Sequence, residues 1–149
     1  MIGLLTAIIV FNAFVFWKNS RLSKNQIIHI WTFTIALQTV ADLYTSFKYH
    51  AYWYFNGEID WKILPVMLVL IPPVNIIFLN WYPFKQVLFK QIFYILCWSI
   101  AITFYEWIAL LPEPWGYFHY GWWKIEYTLA IDPFLFLIVA EYYNWIKKF

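Results

Sequence analysis

Five apolar stretches, each near the length of a membrane-crossing helix, alternate with short connections. They are Ile2–Trp17, Gln26–Tyr44, Ile63–Trp81, Ile92–Leu111 and Ile125–Ile146. About 20 apolar residues carry a helix across the hydrocarbon of a bilayer. The chain is 149 residues long, 64% hydrophobic and only 12% charged. Soluble domains run nearer ~45–50% and ~25%, and so few charges could not cover this much apolar surface in water. Lipid removes the difficulty, because it is itself the apolar solvent. The expected fold class is therefore all-α: one polytopic membrane domain over residues 1–149, a bundle of five transmembrane helices. The second stretch is the most polar, with His29, Gln38 and Asp42 inside it.

The distribution of basic residues orients the bundle. Three connections, Lys18–Asn25, Tyr82–Gln91 and Lys147–Phe149, hold Lys18, Arg21, Lys24, Lys85, Lys90, Lys147 and Lys148, and no acid. The opposite side holds Lys48, Lys62 and Lys124 beside Glu58, Asp60, Glu113 and Glu126. Cytoplasmic connections carry the excess of Lys and Arg, so the reading is N-out and C-in. No basic residue precedes the first stretch and no A-x-A site follows it, so it reads as a helix rather than a cleaved leader. Four crossings would put Lys147 and Lys148 on the wrong side.

Several function classes drop out. The net charge of +2 forms no basic stripe, so no nucleic-acid partner is expected. Cys97 is the single cysteine and lies in an apolar run, the pattern of a small buried hydrophobe. His29, His50 and His119 have no metal-ligand spacing. Phosphate-binding glycine loops, H-E-x-x-H and G-x-S-x-G motifs are absent. Neither a cofactor nor a metal is expected.

The acids inside the apolar stretches carry the functional signal. Asp42, Glu106, Asp132 and Glu141 each cost at least ~2.5–3.5 kcal/mol at mid-bilayer. They must be protonated, paired, or set in a wet interior. With the N-terminus outside, Asp42, Glu106 and Asp132 all fall in the outer half, and Glu141 lies near the cytoplasm. Spacing reinforces this. Thr34, Gln38, Asp42 and Thr45 are separated by steps of four, four and three, and so share one helix face. Ser99, Thr103 and Glu106 do the same in the fourth stretch, as do Thr128 and Asp132 in the fifth. The third supplies Asn75 behind Pro72-Pro73, and prolines free carbonyls that must meet protein or water at this depth. The candidate ligand-binding residues are Asp42, Glu106, Asp132, Gln38, Asn75 and Thr103. The structural alternative is interhelical hydrogen bonding by the same side chains.

The two outside connections, Thr45–Trp61 and Pro112–Trp123, are dense in Trp and Tyr, part of a 26% aromatic content. Such rings favour the headgroup layer. These segments are expected to lie there or to fold over the bundle, with a turn at Asn56-Gly57.

Five motifs, ADLYTSFKY (Ala41–Tyr49), Trp61-Lys62, PPVNIIFLNWYPFK (Pro72–Lys85), YEWIAL (Tyr105–Leu110) and GWWK (Gly121–Lys124), run through most of the chain. Together they resemble an uncharacterised family of small multi-span proteins of spore-forming Gram-positive bacteria. The resemblance implies a bacterial cytoplasmic-membrane location and no defined activity. A shorter likeness is to lycopene-cyclase-type membrane domains, which also set acids near helix ends beside G-x-W-type loops. Their paired Glu-Glu has no counterpart here, where Ile131-Asp132-Pro133 stands instead.

Three functions remain open. One is binding or transport of a small cationic or amphipathic ligand in an outward-facing cavity of acids and aromatics. The second is a membrane enzyme acting on a lipid or isoprenoid, with Glu106 or Asp132 as a buried carboxylic acid. The third is a non-catalytic subunit docked on a membrane-protein partner. In each, membrane lipids surround the chain.

Overall fold

The computed structural model describes residues 1–149. It contains five helices: α1 (Ile2–Lys18), α2 (Lys24–Asp42), α3 (Ile71–Trp81), α4 (Leu88–Ala109) and α5 (Ile125–Ile146). A wide, π-type turn over Leu43–Lys48 prolongs α2, and Trp61–Ile63 and Val66–Leu70 lead into α3. Three continuous helical runs are long and apolar enough to cross a membrane: Lys24–Lys48, Trp61–Trp81 and Leu88–Ala109. They point to a multi-pass membrane protein. α1 is apolar but has 17 residues. α5 has 22 and carries Glu126, Asp132 and Glu141.

The outer surface suits lipid. On α4, Phe89, Phe93, Ile100, Phe104 and Trp107 recur at helical spacing and are all exposed, while Ser99 is fully buried. Polar groups turn inward and apolar ones outward, the reverse of a helix on a soluble protein.

Local chemistry fixes the element ends. Ser23 caps α2 through its hydroxyl, which accepts from the Gln26 amide, and the Gln26 side chain accepts from the Ser23 amide in return. In α3, Pro72 and Pro73 remove two amide donors, so the carbonyls of Leu68 and Val69 lose their usual partners four residues on. Each is met by a side chain from another helix. The Trp31 indole donates to Leu68 O at 2.7 Å, and the Asn12 amide to Val69 O at 2.8 Å. The sequence requirement for a protein partner at this kink is satisfied.

α3 packs on α1 and α2, and α5 packs on α2, α3 and α4. The backbone of α4 packs chiefly on that of α5. It reaches α3 through long side chains: Tyr94 and Trp98 both touch Phe78, and the Tyr94 hydroxyl donates to Phe78 O at 2.9 Å.

The aromatic connections fold over one end of the bundle. The all-α expectation omits one feature: Tyr52–Tyr54 (β1) and Phe118–Tyr120 (β2) pair as an antiparallel ribbon, with Tyr52 opposite Tyr120. Tyr54, Tyr117 and Phe118 are buried there against Leu4, Val66 and Leu70. Trp61, Trp115 and Trp122 point outward instead. Gly57 turns the first connection with φ +80°, a conformation that glycine adopts without strain. The start of α1 is tied to the second connection, since Gly3 N donates to Pro114 O at 3.2 Å. A Cβ on Gly3 would lie 1.9 Å from Trp115 O.

The opposite end is closed by Asn80. Its carbonyl oxygen accepts from the amides of Ser20 and Arg21, and its amide donates to Lys18 O. One buried side chain thus holds the turn between α1 and α2 on the end of α3.

Candidate functional site

A cavity of about 300 Å³ lies between α2 and α3 on one side and α4 and α5 on the other, beneath the ribbon. Its wall is mostly apolar, with Leu37, Ile71, Ile102, Leu135 and Phe136 among the lining. Polar side chains enter from every side: Gln38 from α2, Asn75 from α3, Glu106 from α4, Thr128 and Asp132 from α5, and Tyr52 from the ribbon. No lysine, arginine or histidine lines it.

Four of the six sequence-derived candidates, Gln38, Asn75, Glu106 and Asp132, face this space. Asn75 donates to Thr34 Oγ1 at 2.9 Å, joining α3 to α2 across the floor. Asp42 sits one hydrogen bond behind the wall and is fully buried. Its Oδ1 accepts from Gln38 Nε2 at 2.9 Å and from the Tyr52 hydroxyl at 2.7 Å, while Oδ2 has no partner. Thr103 departs from the expectation. Its hydroxyl donates to Ser99 O on its own helix at 2.7 Å, and it does not line the cavity. Such bonding back to the preceding turn is the ordinary resource of a threonine inside a helix. Glu141 is exposed, apart from the other acids.

Glu106 is oriented by two hydroxyls. Its Oε1 accepts from Tyr120, and from Thr128 Oγ1 at 2.7 Å. Thr128 in turn accepts from the Trp123 indole at 2.8 Å. Asp132, one turn along α5 from Thr128, keeps a buried Oδ2 without a partner. Burial, together with Asp42 beside it, raises the Tyr52 phenol above its usual range. Burial and the hydrogen bond to Glu106 do the same to Tyr120. Both phenols therefore remain neutral O–H donors at physiological pH. No three of the histidine, cysteine and carboxylate side chains come together as a metal-binding group.

Tyr52, Tyr120 and Trp123 lie outside the polar helix faces that spacing selects, in connections expected to lie in the headgroup layer or to fold over the bundle. Tyr52-Trp53-Tyr54 and Phe118-His119-Tyr120 are short aromatic runs, and no local pattern marks them as paired strands. No protein-family model, curated protein or solved structure matches this chain.

Proposed function

We propose that the chain is a five-span membrane protein of the bacterial cytoplasmic membrane. In this reading its N-terminus is outside, and it binds a small amphipathic cation in the cavity beneath the ribbon. The observation that carries the ligand assignment is a pair of carboxylates, Glu106 and Asp132, on the wall of an apolar cavity that no basic side chain lines. A cation with an apolar body supplies both missing partners: positive charge for the acids, and surface for Ile71, Ile102 and Leu135. The faces of Tyr52, Tyr105 and Trp123 add cation–π attraction. The orientation is supported by the grouping of connections. Arg21, Lys85 and Lys147 meet at one end, while the amino terminus bonds Pro114 O at the other, beside the ribbon. With that orientation the cavity opens in the outer half. The resemblance to multi-span proteins of spore-forming bacteria supports the location.

Binding of benzyltrimethylammonium to the purified protein, compared with its neutral analogue neopentylbenzene, tests the ligand class. The cation should bind at least about tenfold more tightly, a difference of ~1.4 kcal/mol. The double variant Glu106→Gln, Asp132→Asn should erase that preference. Equal binding of the two compounds by the unaltered protein would sink the reading.

A second reading, an enzyme acting on a lipid or isoprenoid, draws on the orientation of Glu106 by Tyr120 and Thr128. A carboxylic acid so placed in an apolar cavity can deliver a proton to an alkene or a leaving oxygen. Glu106→Gln separates the two readings. An enzyme would lose turnover while still taking up its neutral substrate, whereas a binding protein would lose affinity for the cation.

A further inference from the structure

The end of the bundle away from the ribbon holds a second hollow, of about 480 Å³, lined by Arg21, Phe84, Lys85, Gln86 and Lys147, among others. It brings together three cations from three separate connections, and none of its lining residues is an acid. Glu141, the carboxylate in the last third of α5, is exposed and lies outside it.

Two of the three cations, Arg21 and Lys147, have defined contacts, and Lys85 is exposed beside them. Arg21 Nη1 donates to Leu79 O at 2.9 Å and to Tyr82 O at 2.6 Å. That fixes the guanidinium plane and leaves Nε and Nη2 to donate elsewhere. Arg21 lies 5.4 Å from the centre of the Phe84 ring, and Lys147 Nζ lies 4.2 Å from the same ring. Lys147 also sits 4.9 Å from the Tyr143 ring. Partial burial and the charges of Arg21 and Lys85 draw the Lys147 amine below its usual range. Like charges gathered without a counter-ion repel, and an anion between them removes the repulsion.

The neighbouring surface suggests what carries that anion. Val87, Leu88 and Phe89 follow Gln86 directly and are all strongly exposed. An apolar flank beside a basic hollow at a helix end suits a lipid, with acyl chain along the flank and headgroup in the hollow. Arg21 offers the planar donor set that matches phosphate oxygens, and the two lysines add point charges.

We propose that Arg21, Lys85 and Lys147 form a phosphate-binding site at the basic end of the bundle, occupied by the headgroup of an anionic lipid. The site is separate from the cavity beneath the ribbon and does not depend on its ligand.

The test uses the full chain in a neutral detergent. Native mass spectrometry follows titration with short-chain phosphatidylglycerol or short-chain phosphatidylcholine, whose choline neutralises the phosphate. Phosphatidylglycerol should bind about tenfold or more tightly than phosphatidylcholine. K85Q combined with K147Q should bring it down to the phosphatidylcholine level, while K85R with K147R should keep it. Neither pair touches the Arg21 bonds that hold the fold. Glycerol 3-phosphate as competitor identifies the source. Displacement means that the phosphate alone is recognised; no displacement means that the acyl chains are required, and either result supports the site. Equal affinity for the two lipids, or phosphatidylglycerol binding unchanged by the glutamine pair, overturns the proposal.

Discussion

Tyr52 and Tyr120 face each other across the two-stranded ribbon, and each gives its hydroxyl to an acid on a different helix: Tyr52 to Asp42, Tyr120 to Glu106. One cross-strand pair thereby latches the ribbon to α2 and α4 at once. Removing the Tyr52 hydroxyl leaves Asp42 with Gln38 as its remaining partner. Tyr52→Phe should cost about 1–3 kcal/mol, read as a lower thermal midpoint in detergent. Because both tyrosines act on one ribbon, the Tyr52→Phe, Tyr120→Phe pair should depart from additivity. Strict additivity would mean that the two latches are independent.

Alkaline pH should release the same ribbon. Burial raises the phenols of Tyr52, Tyr54, Tyr117 and Tyr120 above the ordinary tyrosine value. A raised folded-state value means that the neutral phenol is favoured by the fold. The stabilisation is complete below the unfolded value of about 10 and is lost as pH climbs above it. Phenolate absorbance from these residues should therefore appear together with loss of the near-ultraviolet circular dichroism. Ionisation of all tyrosines near pH ~10, with the fold unchanged, would contradict this.

At the kink before α3, Asn12 and Trp31 carry the carbonyls that Pro72 and Pro73 leave open. Asn12→Ala should destabilise the bundle by about 1–3 kcal/mol, since it strands a buried carbonyl. Replacing Pro73 with Ala in the same chain should recover part of the loss by restoring an amide donor to Val69 O. Thermal unfolding of the unaltered protein and the two variants measures both steps. A silent Asn12→Ala would mean that water reaches this carbonyl.

Reporter fusions after Asn25, Gly57, Gln91, Gly116 and Phe149 check the proposed orientation. They should read inside, outside, inside, outside, inside. A cytoplasmic signal at Gly57 would place the ribbon and its cavity on the other face of the membrane.

The helices were legible because each needs only local information: an apolar run of sufficient length with charge at its ends. The fifth runs over Ile125–Ile146, as its hydropathy suggests, and the fourth begins four residues earlier than expected, at Leu88. Gln38, Glu106 and Asp132 were legible because helical spacing puts polar groups on one face, which a lipid-facing bundle turns inward, and Asn75 was legible from the proline pair beside it. The ribbon was not legible. Its strands are three residues each and lie far apart in sequence, so nothing local marks Tyr52 and Tyr120 as partners. Thr103 shared the polar face of Glu106, but spacing cannot reveal whether a hydroxyl turns to its own backbone. The tie from Asn80 to the first turn was equally silent, because an asparagine in an apolar helix does not announce which chain ends it will meet.

The reach of α4 to α3 through Tyr94 and Trp98 has a mechanical meaning. Directly packed helices lie ~8–10 Å apart, whereas the Trp98 ring, edge-on to Phe78, and the tilted Tyr94 ring act as struts between α4 and α3. The breadth of the empty space farther along is thus set in part by rings that do not border it, Tyr94 and Trp98, which reach it only through Phe78 and Phe136. Shortening the struts, with Tyr94→Ala and Trp98→Ala, would let α4 settle inward. The interior would shrink by movement of a whole helix, and a ligand would be refused for want of room with every acid still in place.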